Sequence, residues 1–453
     1  MADPGGCRYV YLVAEGLPPT VIDSQVVSVL RRLARRGLVF DLFIYQLQAP
    51  REGWDVQGHL AAIRRELPGR VRLWPWPARR IRPAEDGTAP AHSPAPSTLR
   101  RRLRNAVQTA VLSLATAALQ VLIVACLAPA IVRGQVIVVH ARGAAADLAV
   151  RLKRWYPRLR VVADVRGDSI AEYLYSAERR GLSPEDGGVR RERERMQAHE
   201  TRVLARADAV QCVSQSLRQR LETEAGVSGA KIRVVPCLAD DEIFYYDAAG
   251  RDRVRHELGV GERTLFVYSG SLLAWQSVGT MLRLWSHMRR SVDGLHLLLL
   301  TPQAEAARRL LKETRLEDND AVSVHSARHD EVRAFLCAAD VALLIREPHP
   351  LNRVASPTKF AEYALTGLPV VASRGIGDLD AIIEGHGLGV LLGDPDDPAE
   401  VEATTAAAVT LGRDGQRTDR ALRAAGAVGL GARLGEWVQF YAALARPAHG
   451  PGA

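Results

Sequence analysis

The residues best placed to do chemistry lie in one run of the 453-residue chain, Val354-Ala-Ser-Pro-Thr-Lys-Phe-Ala-Glu-Tyr-Ala-Leu-Thr-Gly-Leu-Pro-Val-Val-Ala-Ser373. Ser356 is a natural helix N-cap, and Pro357 suits the first helical turn. The N–H groups of Thr358 and Lys359 then point out of a helix start that carries about half a positive charge. Such a start binds anions, and Lys359 adds a full charge, so the pattern fits a diphosphate. Glu362 follows one turn later, where its carboxylate can accept hydrogen bonds from a ribose diol. Gly367 ends the helix, and Leu368–Ala372 forms the next strand. The same string also fits an ordinary capped helix of an α/β domain.

Other chemistry-bearing residues carry weaker signals. Asp164 and Asp168 lie at the carboxyl end of a strand, where the ligands of α/β proteins collect. A catalytic base, an acceptor anchor and plain helix capping all fit them. His140 reads first as a packed histidine at a strand end, and Asp318-Asn-Asp320 as a polar turn rather than a metal motif. Arg190 to Glu200 alternates in charge and reads as a solvated helix face. No GxGxxG follows the first strand, which argues against a nicotinamide enzyme.

Short apolar runs alternate with helix-length amphipathic stretches, a pattern that demands parallel sheet with crossover helices. Strands are expected at Arg8–Ala14, Val39–Tyr45, Val136–His140, Arg160–Asp164 and Ala209–Ser214. After Val234-Val235-Pro236 the pattern restarts with Thr264–Ser269, His296–Leu300, Ala321–His325, Val341–Ile345 and Leu368–Ala372. The expected layout is a first α/β domain over 1–240 and a second over 241–430, then a helix at 431–446 and a tail at 447–453. Residues 78–104 read as a mobile loop rich in Pro, Ala, Ser and Arg.

From Asn105 to Val132 the chain carries no charge, behind Arg100, Arg101, Arg102 and Arg104. Length permits a membrane span of roughly 20 residues, but strands on either side must share one sheet, which a single crossing forbids. A helix buried on the sheet, an interfacial helix and a re-entrant hairpin turning near Pro129 all remain. The basic residues ahead suit anionic headgroups, so residues 100–132 are a candidate membrane contact.

The net charge of +9 is carried by arginine, with lysine only at 153, 231, 312 and 359. Arginine suits phosphate-bearing or anionic-lipid partners, although a compositional bias toward Arg and Ala explains the excess equally well. No basic run is interleaved with aromatics, so nucleic acid is not an expected partner. Five scattered cysteines (Cys7, Cys126, Cys212, Cys237, Cys337) without CxxC spacing point to a reducing compartment. The opening Met-Ala-Asp-Pro has no basic stretch and apolar run behind it, so a signal peptide is not expected. The expected location is therefore cytoplasmic, on the inner membrane face if the apolar segment docks there.

The run around Lys359 resembles the family 4 retaining glycosyltransferases, in particular the branch with Ser-Pro-Thr-Lys-Phe-Ala-Glu-Tyr before Gly-Leu-Pro-Val-Val. Tyr268-Ser-Gly-Ser-Leu-Leu-Ala-Trp-Gln276 is similar to the family's donor-facing loop, and the stretch from Glu331 to Glu347 to the segment before the motif. In the first half, His140-Ala-Arg-Gly143, Asp164-Val-Arg-Gly-Asp168 and Ala207-Asp-Ala-Val-Gln-Cys-Val-Ser214 sit at family-like strand ends. The likeness spans about 8–445.

This resemblance implies the GT-B fold, α/β with two Rossmann-like doubly wound domains facing across a cleft. It implies a nucleotide-sugar donor on the second domain and a glycan, lipid-linked or small-molecule acceptor on the first. The donor contacts would be Gly16, Gly270, Ser271, Gln276, Arg346, Ser356, Pro357, Thr358, Lys359 and Glu362, with Lys359, Asp164 and Asp168 as catalytic candidates. Transfer would retain configuration, with no metal, no other cofactor and no enzyme nucleophile. Two departures stand out. The family's usual glutamate eight residues before Glu362 is Val354, and its arginine and lysine after the loop glycine are Ser271 and Gln276. Positive charge must therefore come from Lys359 and from Arg346 or Arg353. A nucleotide-sugar epimerase or hydrolase of the same fold, or a non-catalytic nucleotide-sugar binder, are the alternatives.

Overall fold

The computed structural model describes residues 6–14, 22–46, 55–75, 118–316 and 321–446. Gly16, the 78–104 loop, residues 105–117, Asp318-Asn-Asp320 and the 447–453 tail lie outside them. The described residues form two parallel sheets flanked by helices, one of seven strands and one of six, which is the architecture of two Rossmann-like domains. By compactness the chain divides into two units: Met1–Val165 with Arg202–Val210 and Glu436–Ala453, and Arg166–Thr201 with Gln211–Gly435.

The first sheet runs β3-β2-β1-β4-β5-β6-β7. Its strands are β1 (Cys7–Val13), β2 (Phe40–Gln46), β3 (Val71–Pro75), β4 (Val136–Arg142), β5 (Leu159–Val165), β6 (Ala209–Cys212) and β7 (Ile232–Val234). Every residue of β4 is buried, as expected for a strand covered on both faces. The edge strand β3 and the three-residue β7 were not legible as strands, being short and mixed in polarity.

Residues 118–132 are helical. Leu119, Ile123, Leu127 and Ala130 recur on one face of this stretch and are buried. Arg8, paired with Asp41, also donates to the Cys126 carbonyl at 3.0 Å. Helix continues through Pro129, so of the three readings of this segment the hairpin turning there is ruled out. Val121, Leu122, Val124 and Val132 stay exposed on the other flank. Among the described residues no helix is long and apolar enough to cross a membrane.

The second sheet runs β10-β9-β8-β11-β12-β13. Its strands are β8 (Thr264–Ser269), β9 (Leu295–Leu300), β10 (Val322–His325), β11 (Val341–Leu344), β12 (Val370–Ser373) and β13 (Gly389–Leu392). Successive side chains feed opposite faces: Leu265 and Val267 pack in one core with Ala342 and Leu344, while Phe266 and Tyr268 pack in another with Leu343 and Trp285. Chain order reverses between β8 and β11, and ligands of open α/β sheets bind beyond the carboxyl ends of strands at such a reversal. That point carries the loop after Ser269, the loop after Leu344 and the start of the Thr358–Leu365 helix.

Candidate functional site

The Thr358–Leu365 helix buries Phe360, Ala361, Tyr363, Ala364 and Leu365 in the sheet. Lys359 and Glu362, three apart, share its more open face. The helix begins with Pro357 at the N-cap and without a side-chain cap. Ser356 is therefore not the cap that its type suggests. Its hydroxyl oxygen accepts from the Cys237 N–H at 2.9 Å, a partner 119 positions away. The other end is closed firmly. Arg417 Nε donates to the Thr366 carbonyl at 2.9 Å, and Arg420 Nε to that of Gly367 at 3.1 Å. Gly367 has φ +73°, and a Cβ there would meet the Arg417 carbonyl.

Lys359 Nζ donates to Gln276 Oε1 at 2.8 Å and to the Tyr268 hydroxyl at 3.0 Å. The Tyr268 hydroxyl in turn donates to the Ser271 carbonyl at 2.5 Å. Gly270, at φ +138°, makes room: a Cβ there would collide with Cε and Nζ of Lys359. Tyr363 ties the helix to the same strand end, accepting from the Ser269 N–H at 2.8 Å and donating to the Ser269 carbonyl at 3.3 Å. Among the described residues, Lys359 has no carboxylate partner within 4.0 Å.

Burial, and after it the charge of Arg346, hold the Lys359 ammonium well below its ordinary pKa. Burial pushes Glu362 up to about 7 against the opposing pull of Lys359. Arg346 is also lowered by burial. Its Nη1 donates to the Trp275 carbonyl at 2.9 Å and to Asn352 Oδ1 at 3.3 Å, while its Nε is buried without a hydrogen bond among the described residues. Two desolvated cations thus stand beside an uncapped helix start, with one carboxylate a turn away. The arrangement suits a dianion flanked by a diol.

Residues 23–243 match the family described as Glycosyltransferase Family 4, and residues 263–410 the family described as Glycosyl transferases group 1. These two matches cover most of the chain, one on each sheet. The chain is a family 4-like glycosyltransferase of the GT-B fold. A curated relative, the GDP-mannose-dependent alpha-(1-6)-phosphatidylinositol monomannoside mannosyltransferase of Mycolicibacterium smegmatis, is 26% identical over 215 residues. The match covers 47% of this chain and 54% of that protein, so the chain spans about half the length of the relative. Sucrose-phosphate synthase from Thermosynechococcus elongatus shares the fold at TM-score 0.63 and 17% identity, over 96% of this chain and 99% of that one. Anabaena HepE, in complex with UDP and glucose, does so at TM-score 0.64 and 14% identity, over 96% and 99%.

The other candidate residues of this glycosyltransferase are placed differently. Asp164 belongs to the first unit and is 1% exposed. It faces His140 Nε2 at 3.3 Å and accepts from the Tyr11 hydroxyl at 3.5 Å. His140 Nδ1 is 2.8 Å from the hydroxyl of Tyr441, in the Leu430–Ala445 helix. Asp168 caps the Ser169–Glu178 helix, accepting from Ile170 N and Ala171 N at 3.0 Å. Both of its oxygens also take Arg220, at 2.8 and 2.9 Å. Burial alone would raise the Asp168 carboxyl, but Arg220 and the two N–H groups hold it below its ordinary value. Capping and ion pairing occupy both oxygens.

Sequence reasoning missed Asn352 and Tyr268 as site residues. Asn352 is buried, and its Nδ2 donates to the Glu347 carbonyl at 2.9 Å while its own carbonyl accepts from Ala355 N and Gly377 N at 3.1 Å. It pins the loop after β11. The available signal was the loop's length, because an irregular segment beside a buried strand end must find partners for its backbone.

Proposed function

We propose that this enzyme moves a sugar from a nucleoside diphosphate to a hydroxyl of a glycan, lipid-linked or small-molecule acceptor, with retention of configuration. One observation carries the reading: Lys359 is held by neutral oxygens of Gln276 and Tyr268, so its charge remains unspent for a ligand anion. The diphosphate lies against Lys359 and the helix start, Arg346 adds charge beside it, and Glu362 accepts from the ribose diol. As the sugar–oxygen bond breaks, negative charge grows on the leaving phosphate where these cations already stand. Gly270 and Ser271 carry the backbone over which Lys359 crosses. Asp168 is neutralised by Arg220, and Asp164 is buried in the first sheet. That favours proton transfer from the acceptor hydroxyl to the departing phosphate on the same face.

No metal is needed in this scheme, because side-chain cations supply the charge. Labelled nucleotide sugars incubated with wild type and Lys359→Ala, each with and without EDTA, test it. Lys359→Ala is expected to lose about 10²- to 10³-fold in turnover while remaining folded, and EDTA to change nothing. Near-wild-type turnover by Lys359→Ala, or loss on chelation, would refute the scheme.

A further inference from the structure

The loop after β11 fixes a second carboxylate with unusual care. The Glu347 N–H donates to Ser277 Oγ at 3.2 Å. Its carbonyl accepts from Asn352 Nδ2 at 2.9 Å and from the His349 N–H at 2.8 Å. These bonds fix where the Glu347 side chain leaves the backbone. Among the described residues the half-buried carboxylate has one hydrogen bond, a long one of 3.4 Å from the Tyr175 hydroxyl. Tyr175 is itself buried, against Ala171 and Leu351. Its ring meets the edge of His349 at 4.9 Å, and His349 pairs with Glu178 at 3.4 Å. A carboxylate so placed keeps most of its acceptor capacity for something else.

Its neighbours say what. Arg346 precedes Glu347 in sequence and lies within electrostatic reach of both Tyr175 and Lys359. Side chains of one unit therefore form a series: Glu362, Lys359, Arg346, Tyr175, Glu347. Glu362 thus neighbours Lys359, and Glu347 neighbours Tyr175, with the two cations between these pairs in the chain of contacts. A nucleotide sugar repeats that chemistry, with a ribose diol, an anionic diphosphate and a polyhydroxylated sugar. Val354, where the resembling family has a glutamate, does not supply the missing acid. It is buried, and its carbonyl accepts from Ser214 Oγ at 2.8 Å.

We propose that Glu347, braced by Tyr175, receives hydroxyls of the transferred sugar and so sets donor-sugar selectivity. This rests on the nucleotide-sugar reading above. The test is calorimetric binding of UDP, UDP-glucose, UDP-N-acetylglucosamine, GDP and GDP-mannose to wild type, Glu347→Gln, Tyr175→Phe and Lys359→Ala. Glu347→Gln is expected to weaken the bound nucleotide sugar about tenfold relative to its own nucleoside diphosphate. Tyr175→Phe should act in the same direction by about threefold, and decides the matter if Glu347→Gln does not fold. Lys359→Ala should weaken both ligands together. Equal effects of Glu347→Gln on sugar-bearing and sugar-free ligands, or none, overturn this inference alone. No binding of either nucleoside diphosphate to wild type overturns the proposed function, and this inference with it.

Discussion

Two clusters of buried charge in the second unit obey opposite rules. Around Arg220 every charged group has an opposite partner: both oxygens of Asp168 and both of Glu200 take its guanidinium at 2.7 to 3.0 Å. All three side chains are at most 15% exposed. Around Lys359 little is answered. The ammonium rests on a tyrosine hydroxyl and an amide oxygen, Arg346 stands nearby, and Glu362 is pushed up to about 7. Removing an ion from water costs several kcal/mol, so a buried cation without a carboxylate partner is expensive for the fold to keep. The first cluster is architecture; under the proposed function the second is where the diphosphate binds.

Substitutions can break this contrast. Arg220→Met should destabilise by about 3–5 kcal/mol, because Asp168 and Glu200 would remain buried without a counterion. Chemical denaturation measures that directly, and a loss below about 1 kcal/mol would mean that the triad is not architectural.

A smaller effect of opposite sign is expected at Glu362. Its folded pKa lies near 7 and its unfolded one near 4.3, so the folded state binds the extra proton. The favourable contribution is full below the unfolded value and is lost as pH rises through about 7. Above that pH the wild type carries an ionised, desolvated carboxylate that Glu362→Gln lacks. The variant should thus be more stable at pH 8 by on the order of 2 kcal/mol, with the gap closing toward pH 4. Melting temperatures across that range check the sign, and a variant less stable at pH 8 would contradict it.

What was legible in the sequence follows the range of each interaction. The alternation of apolar runs marked both sheets, since strand burial is a local pattern, and the bounds of Thr264–Ser269 in β8 were readable outright. The Lys359 run was legible because helix start, charge and stop fall within a dozen residues. What escaped depends on partners far along the chain. Ser356 looked like a cap until Cys237 claimed its hydroxyl, and Asp168 looked available until Arg220, 52 positions on, took both oxygens. Glu347 entered the sequence reading only as the end of the stretch before the motif; Ser277 and Asn352 hold its backbone and Tyr175 meets its carboxylate. The arginine excess resolves in part the same way. Arg251, Arg255, Arg417 and Arg420 donate to backbone carbonyls, several at helix ends, so these arginines are held inside the fold.

The most direct test of the central claim compares Lys359→Met with wild type in two readouts, thermal stability and calorimetric affinity for UDP and GDP. An unanswered cation predicts a variant at least as stable as wild type that binds the preferred nucleoside diphosphate at least about tenfold more weakly. A variant that unfolds as readily as Arg220→Met, or that binds the nucleotide as wild type does, would show that Lys359 serves the fold and not a ligand.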